Sequence, residues 1–186
     1  CAEWEDNQAP RQCIKTTLFG PACDAVKVLE SDPEIKALLE CSQRQVMATA
    51  SYQDEETGIT VPLKILIDLL PHRDSQWGKT ICDFKTSESA ALRIWCKKVF
   101  NYNYDAQCSL YMDVWEAATG EDRPDARHIV QESYAPYHTE KRILSAEFLE
   151  IGRGKYQAAL RLYCKCLKEN IWPGYDHEAR RFDGWQ

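Results

Sequence analysis

The segment TICDFKTS, residues 80–87, has the composition of a buried β-strand but carries two charged side chains, Asp83 and Lys85. Because side chains alternate between the two faces of a strand, these two point to the same side, about two pleats apart. A surface ion pair on an edge strand has this pattern, and such pairs contribute little to stability. A catalytic site has it too, if polar residues from elsewhere in the chain converge on the same strand.

The elements around this strand predict an α/β domain. The first half contains a helix over 21–41 broken near Asp32, strands over 44–52 and 59–70 joined by a turn at 54–58, and the strand at 80–86. The second half begins with a helix capped by Ser87 that ends near Phe100, followed by a helix over 105–119 closed by Gly120. Strands over 127–133 and 143–151 and a helix over 154–170 complete the order. The apolar spacing supports each assignment. This order predicts a single domain over residues 1–186, in which a mixed central β-sheet is flanked by helices after an irregular segment at 1–20.

Charge restricts the function only weakly. Of the 186 residues, 44% are hydrophobic and 28% charged, which is ordinary for a globular protein. The net charge of −6 argues mildly against a nucleic-acid partner. Residues 123–168 nevertheless hold nine basic and five acidic residues, a local charge of +4 that is compatible with a polyanion.

Apolar runs and cysteines indicate the compartment. The longest apolar run, residues 61–70, is short and contains Lys64 and Asp68, so no membrane span is predicted, and no signal peptide is visible. The nine cysteines are odd in number and scattered, which favours a reducing cytoplasm without a disulfide framework. Cys164 and Cys166 are spaced too closely for a zinc knuckle, and an iron–sulfur cluster is a remote alternative.

A second carboxylate is expected beside the charged strand. Asp68 lies near the end of the preceding strand, fifteen residues before Asp83. Consecutive strands usually pair, so Asp68, Asp83 and Lys85 can meet at one end of a hairpin. Two carboxylates suit Mg²⁺, which keeps several waters, and such a site can activate water for attack on a phosphodiester. Lys85 would then orient that water or stabilise charge on the phosphate.

These residues resemble a known signature. Asp68 followed by Asp83-Phe84-Lys85 is similar to the D…(D/E)xK motif of the PD-(D/E)xK nuclease superfamily. Gln107 and Tyr111, one helical turn apart, match the QxxxY motif of its RecB-like and exodeoxyribonuclease VIII-like branches. VQESYAPY, residues 130–137, resembles the segment that follows in phage and bacterial exonucleases, and the resemblance covers about residues 45–176 as the nuclease core.

One part of the pattern is missing. The branch usually carries a metal-binding histidine in an upstream GxxxH motif, whereas all four histidines here follow Asp68. Gly20-xxx-Asp24 lies in a comparable place, so Asp24 could replace that histidine as a metal ligand, or it could be an ordinary aspartate favoured by the start of a helix. Three glutamates are further candidates: Glu30, Glu34 and Glu40.

The resemblance implies a restriction-endonuclease-like fold and a Mg²⁺-dependent DNA exonuclease, with Mn²⁺ as a substitute. Asp68, Asp83 and the carbonyl of Phe84 would bind metal, Lys85 would position the nucleophile, and Gln107 and Tyr111 would support the site. It also implies resection of duplex DNA ends for recombination in a phage or bacterium, with a single-strand annealing protein as partner and a homo-oligomer as a plausible assembly. Two alternatives stay open: a catalytically impaired DNA-binding or scaffold protein, and an iron–sulfur nuclease of the CRISPR-associated type.

Other residues are candidates for DNA contacts. Basic residues in the second half could bind phosphates, although a solvated surface charge is the ordinary role of each: Arg123, Arg127, Lys141, Arg142, Arg153, Lys155 and Arg161. Trp77 and Tyr134 could stack on bases, although an aromatic in the core or at its rim is the default.

Overall fold

The computed structural model of the protein describes residues 15–174. Its helices are α1 (Thr16–Ser31), α2 (Pro33–Glu40), α3 (Leu92–Asn101), α4 (Tyr104–Thr119) and α5 (Ala146–Glu169). Its strands are β1 (Ser42–Gln53), β2 (Thr60–Pro71), β3 (Thr80–Ser87), β4 (Asp125–Glu132) and β5 (Thr139–Ile143). No helix within the described range is both long enough and apolar enough to cross a membrane.

The five strands form one sheet in the order β1-β2-β3-β4-β5. All neighbours are antiparallel except β3 and β4, which run parallel over their eight residues, with α3 and α4 in the connection between them. The sheet is therefore mixed, as predicted. Helix α4 covers one face over Ile65, Ile67 and Ile81, and α1 and α2 cover the other over Leu69 and Cys82.

The break predicted near Asp32 is confirmed. Asp32 separates α1 from α2, and its carboxylate accepts hydrogen bonds from the backbone of Glu34 and Ile35. Pro33 occupies the first turn of α2, where its missing donor costs nothing. Helix α1 begins at Thr16, so the irregular segment predicted over 1–20 is wrong for residues 16–20, and residues 1–14 lie outside the described range.

The predicted cap of the helix after β3 is wrong. Ser87 is the last residue of β3, and its hydroxyl donates to the carbonyl of Ser89. Helix α3 begins five residues later, at Leu92, without a side-chain cap. Serine favours helix caps and tight turns for the same reason, a hydroxyl that bonds to nearby backbone, so spacing alone did not separate them.

The strand predicted over 143–151 is also wrong. β5 ends at Ile143, and Ser145 caps α5 by accepting a hydrogen bond from the backbone of Phe148. The apolar residues of this short run fit either a strand or the buried side of a helix. The N-cap serine was the signal that distinguishes the two.

Helices α4 and α5 cross in close contact at Gly152. A Cβ at this position would overlap the backbone carbonyl of Asp105. Nearby, the hydroxyl of Ser109 donates to the carbonyl of Leu149, and Lys155 Nζ lies 2.7 Å from the buried carboxylate of Asp105. The crossing fixes α4, which carries Gln107 and Tyr111, against the sheet.

Gly152→Ala is expected to destabilise the protein by about 2–3 kcal/mol, because the added methyl group forces the two backbones apart. Gly154→Ala, two residues along the same helix, is the matched control, since a Cβ there meets open space. The control should be neutral or slightly stabilising, as expected for glycine replaced by alanine inside a helix. Urea unfolding measures both, and equal stability of the two variants would contradict the close crossing.

Candidate active site

The site lies where β2 and β3 diverge. The two strands pair only at Leu69 and Cys82, and the next position of each holds Asp68 and Asp83. Asp68 Oδ2 accepts a hydrogen bond of 3.0 Å from the backbone nitrogen of Phe84. The carboxylate thus satisfies a donor that the separating ladder leaves unpaired.

Gln45 of β1 holds the other oxygen of Asp68. Its Nε2 donates to Asp68 Oδ1 at 2.9 Å. Gln45 has a left-handed backbone (φ 54°) and drops out of the otherwise regular pairing between β1 and β2. The sequence analysis missed this residue, because an isolated glutamine on a strand has no distinguishing pattern.

Asp83 and Lys85 form a buried ion pair. Lys85 Nζ lies 2.6 Å from Asp83 Oδ2, and Asp83 is only 5% exposed. Burial raises the pKa of Asp83 to about 6, and nearby Asp68 contributes to the rise while Lys85 opposes it. Burial alone would lower the pKa of Lys85, but the close contact with the charged carboxylate of Asp83 outweighs it and leaves that pKa raised. Lys85 therefore stays charged at neutral pH.

Helix α4 holds the ammonium from the other side. Lys85 Nζ donates to Gln107 Oε1 at 3.0 Å, and Gln107 Nε2 donates to the hydroxyl of Tyr111 at 3.1 Å. The ring of Tyr104 lies beneath the same ammonium, 4.4 Å from its centroid. The structure therefore brings Asp68, Asp83, Lys85, Gln107 and Tyr111 together, while their roles in chemistry stay predictions.

His128 forms the buried wall behind Lys85. It is fully buried, lies edge-on to the rings of Trp95 and Tyr104, and has Nε2 3.3 Å from the sulfur of Cys108. Burial and then the charge of Lys85 lower the pKa of His128 to about 3, so it is neutral. No sequence pattern indicated this wall, because its members come from three separate elements, α3, α4 and β4.

Gln107→Leu is expected to lower the rate of any reaction that uses Lys85 by about tenfold, since the ammonium loses one of its two hydrogen-bonding or ionic partners but keeps its charge. Tyr111→Phe removes only the support of Gln107 and should cost less. The turnover number under saturating substrate measures both. An effect of Tyr111→Phe larger than that of Gln107→Leu would contradict this order of support.

Asp24 lies away from the acidic pair. It is exposed on α1, and Lys27 Nζ lies 2.8 Å from its Oδ1. Within residues 15–174, no three His, Cys, Asp or Glu side chains come close enough to hold a metal ion together. The structure therefore does not place Asp24, or the alternatives Glu30, Glu34 and Glu40, in a cluster with Asp68 and Asp83, and an upstream ligand stays a prediction.

Most candidate phosphate contacts are engaged within the protein. Arg123 is buried and donates to the carbonyls of Pro71 and Thr80. Five of the others form ion pairs: Arg127 with Glu34, Lys141 with Asp32 and Glu34, Arg142 with Glu140, Arg153 with Asp113 and Glu150, and Lys155 with Asp105. Arg161 is exposed on α5. Trp77 is buried in the core, whereas Tyr134 is exposed.

The donor set fits a hard divalent cation. Asp68 and Asp83 offer carboxylate oxygens at neighbouring positions, and the carbonyl of Phe84 directly follows Asp83 in the chain. Asp83 Oδ2 is buried, and its contact with Lys85 is an ion pair without the geometry of a hydrogen bond. A cation would offset both the free-energy cost of burying the Asp83 carboxylate and the repulsion between the two negatively charged acids. Few carboxylates and room for water are what Mg²⁺ requires.

The family comparison agrees with this geometry. Residues 4–182 match a family described as a PDDEXK-like domain of unknown function (DUF3799). The chain belongs to this family. The resemblance to the PD-(D/E)xK nuclease superfamily is thereby confirmed, whereas the RecB-like and exodeoxyribonuclease VIII-like branch is not distinguished.

The fold of this PDDEXK-like chain also occurs in a solved structure. The crystal structure of a "Putative exonuclease" from Eubacterium rectale overlaps it with a TM-score of 0.61 at 15% identity, over 82% of this chain and 54% of the other. The chain thus spans about half the length of this neighbour, and the similarity is one of fold. A second structure, SSO0001, has a TM-score of 0.41 at 12% identity over 72% of this chain and 58% of the other, too low for any argument. No curated protein matches the sequence.

Proposed function

We propose that this PDDEXK-like chain is a divalent-metal-dependent deoxyribonuclease. The observation that carries the proposal is the meeting of Asp68 and Asp83 at the divergence of β2 and β3, with the ammonium of Lys85 2.6 Å from Asp83. Mg²⁺ is the proposed ion and Mn²⁺ its substitute, because both accept a site of few carboxylates and water.

The residues of the proposed site have separate roles in metal binding and in catalysis. Asp68, Asp83 and the carbonyl of Phe84 would hold the ion, which when bound neutralises phosphate charge and lowers the pKa of water. Lys85 orients the attacking water and stabilises the charge that develops on the phosphate oxygens. Gln107 accepts a hydrogen bond from Lys85 and fixes its direction. The water oxygen attacks phosphorus, the bond to the leaving oxygen breaks, and no covalent intermediate with the protein forms.

The finer proposal is an exonuclease that acts on duplex DNA ends during recombination. The order of Asp68, Asp83-x-Lys85 and Gln107-xxx-Tyr111 supports it, as does the description of the Eubacterium rectale neighbour. A single-strand annealing protein as partner, a homo-oligomer and a phage or bacterial setting belong to the same proposal. The free thiols of all seven cysteines in the described range support a reducing compartment such as the cytoplasm.

One observation favours a second candidate, a DNA-binding protein that has lost catalysis. Among residues 15–174 only two acids meet at the site, and Asp24 is paired with Lys27. Two carboxylates with waters still suffice for Mg²⁺, so the nuclease is preferred. The iron–sulfur alternative would need several clustered cysteines, and residues 15–174 hold no such group.

End-labelled linear duplex and closed circular DNA, each with Mg²⁺, with Mn²⁺ or with chelator, test the proposal. A nuclease releases nucleotides only with metal, and an exonuclease leaves the closed circle intact. Asp24→Ala is one arm, and undiminished cleavage would show that this residue is not a required ligand. DNA binding without release of nucleotides in the presence of either metal would contradict the nuclease and favour the DNA-binding protein without catalysis. Iron in the purified protein would instead support the iron–sulfur alternative.

A further inference from the structure

Three aromatic rings connect the buried wall of the site with the surface. Trp95 is 2% exposed, Tyr104 is half-buried, and Tyr102 is 63% exposed. The ring of Tyr104 is stacked with that of Trp95 and with that of Tyr102, each at a centroid distance of 5.6 Å, with interplanar angles of 29° and 24°. The series ends in a tyrosine ring that is open to solvent.

This exposed ring lies close to the reacting groups. Tyr104 is 4.4 Å from Lys85 Nζ and 5.6 Å from the ring of Tyr102, so Tyr102 lies within about 10 Å of the ammonium. When a phosphate faces Lys85, the base of an adjoining nucleotide can reach this ring. Every base has an apolar face that stacks on an aromatic side chain.

The corner that carries Tyr102 is defined by its backbone. Tyr102 ends α3, and its backbone nitrogen donates to the carbonyl of Lys98 at 2.9 Å. Asn103 follows with a left-handed backbone (φ 53°) and turns the chain into α4. The backbone is therefore fixed before a ligand arrives, and stacking on Tyr104 orients the ring itself, so that less conformational entropy is lost on binding.

The basic residues from Arg123 to Lys155 offer little affinity for DNA. Most of them are engaged in ion pairs or buried hydrogen bonds, and the whole chain carries a net charge of −6. Phosphate binding that relied on these residues would therefore be weak and sensitive to salt. Stacking supplies affinity that does not depend on unpaired cations.

We propose that Tyr102 is a stacking platform for an unpaired base next to the scissile phosphate, and that the substrate class of this site is single-stranded or frayed DNA. The inference rests on the proposed nuclease function and adds the substrate to it. In the interior of a duplex each base is covered on both faces by its neighbours and is not available to the ring, whereas a blunt terminal base pair is held in register by its pairing. An unpaired terminal base has a free face and stacks without a cost of unpairing.

The test measures binding without cleavage. Fluorescence anisotropy in chelator compares a labelled single-stranded oligonucleotide with a blunt duplex of the same sequence, for wild type, Tyr102→Ala and Tyr102→Phe. Loss of one stacked base corresponds to roughly a tenfold loss of affinity. We expect that loss for Tyr102→Ala on the single strand alone, with less than about a twofold change for Tyr102→Phe, which keeps the ring.

Tyr163→Ala is the matched control. Tyr163 is also an exposed tyrosine, 43% accessible, but it lies on the part of α5 that reaches the β1–β2 turn, where Lys168 contacts the carbonyl of Glu56. Its loss should leave binding unchanged. Circular dichroism melting of each variant confirms that the fold persists, and quenching of 2-aminopurine at the strand terminus reports stacking directly.

Each outcome decides the inference. Unchanged single-strand affinity in Tyr102→Ala, an equal loss on the duplex, or a loss of the same size in Tyr102→Phe or Tyr163→Ala would overturn it, as would a wild type that binds no single strand. Because the assay contains chelator, it is independent of catalysis. If Tyr102→Ala weakens single-strand binding but the protein cleaves no DNA, the nuclease function is refuted and the stacking proposal stands. If the protein cleaves DNA but Tyr102→Ala has no effect on binding, the stacking proposal alone is refuted.

Discussion

Asp83→Asn is expected to abolish cleavage while making the metal-free protein more stable. The carboxylate is 5% exposed, and burial raises its pKa to about 6 from an ordinary value of 3.8. At neutral pH the Asp83 carboxylate of the native fold is therefore charged, although its burial makes the charged form unfavourable. Asparagine has nearly the same shape without the charge, but it is a much poorer ligand for a divalent cation. Loss of that ion should cost at least about 10³-fold in rate.

The stability effect has a defined sign and pH window. Between about pH 4 and pH 6 the folded protein keeps a proton on Asp83 that the unfolded chain has lost, so the contribution of Asp83 to stability falls as the pH rises, and it stays low above pH 6. Removal of the charge should stabilise the metal-free protein at pH 7 by about 2–3 kcal/mol, or roughly 5 °C in melting temperature.

Melting curves of the wild type and Asp83→Asn, in chelator and then in Mg²⁺, measure this. In chelator the variant should melt higher at pH 7, and the difference should shrink towards pH 4. In Mg²⁺ only the wild type should gain stability, because the ion binds its folded form. A variant that cleaves DNA, or one that gains as much from Mg²⁺ as the wild type, would remove Asp83 from the metal site.

Lys85→Met should lower the turnover number by about 10²–10³-fold, because a single positioned charge at developing negative charge has this effect. Methionine keeps the apolar length of the side chain, so the packing against Tyr104 survives. Lys85→Arg should not restore the rate. The space between Asp83 Oδ2, 2.6 Å away, and Gln107 Oε1, 3.0 Å away, suits a compact ammonium rather than a planar guanidinium.

Lys155→Met is a control with matched surroundings. Lys155 also pairs with a buried carboxylate, Asp105 at 2.7 Å, and also lies over an aromatic ring, Phe100 at 4.7 Å, but no second acid adjoins it. Its loss should destabilise the fold by about 2–3 kcal/mol, because Asp105 is left buried without a partner. Cleavage per folded molecule should not change.

Single-turnover rates at pH 8, with the folded fraction measured in parallel, separate the two lysines. The higher pH keeps Asp83 ionised when its counter-ion is removed. If Lys155→Met lost as much cleavage as Lys85→Met, a general effect of charge would explain both, and the specific role of Lys85 would fail.

Local patterns in the sequence predicted most of the elements. The period of apolar residues in β1, β2 and α4, the break at Asp32 and the glycine at the end of α4 are properties of short segments, and the structure confirms them. The predictions failed where two local signals compete, as at Ser87 and at residues 143–151, because a serine or a short apolar run suits more than one conformation.

The candidate site divides in the same way. Asp68, Asp83 and Lys85 could be named from their spacing, because they lie on one strand or on consecutive strands, and Gln107 and Tyr111 from the resemblance to the QxxxY motif. Gln45, Tyr104 and His128 could not, since their contacts join residues 19 to 23 positions apart and no motif contains them. Spacing describes only neighbours within an element or in adjoining ones.

Which charges are available to a ligand was decided by the tertiary structure alone. The basic residues of the second half form a positive stretch in the sequence, yet the fold pairs four of them with acids from distant elements: Arg127 with Glu34, Lys141 with Asp32 and Glu34, Arg153 with Asp113, and Lys155 with Asp105. Exposure and pairing depend on how helices and strands pack, whereas spacing along the chain depends only on local geometry. The sequence by itself thus determined which residues are brought together at the candidate site, and packing determined that an exposed tyrosine ring lies near them.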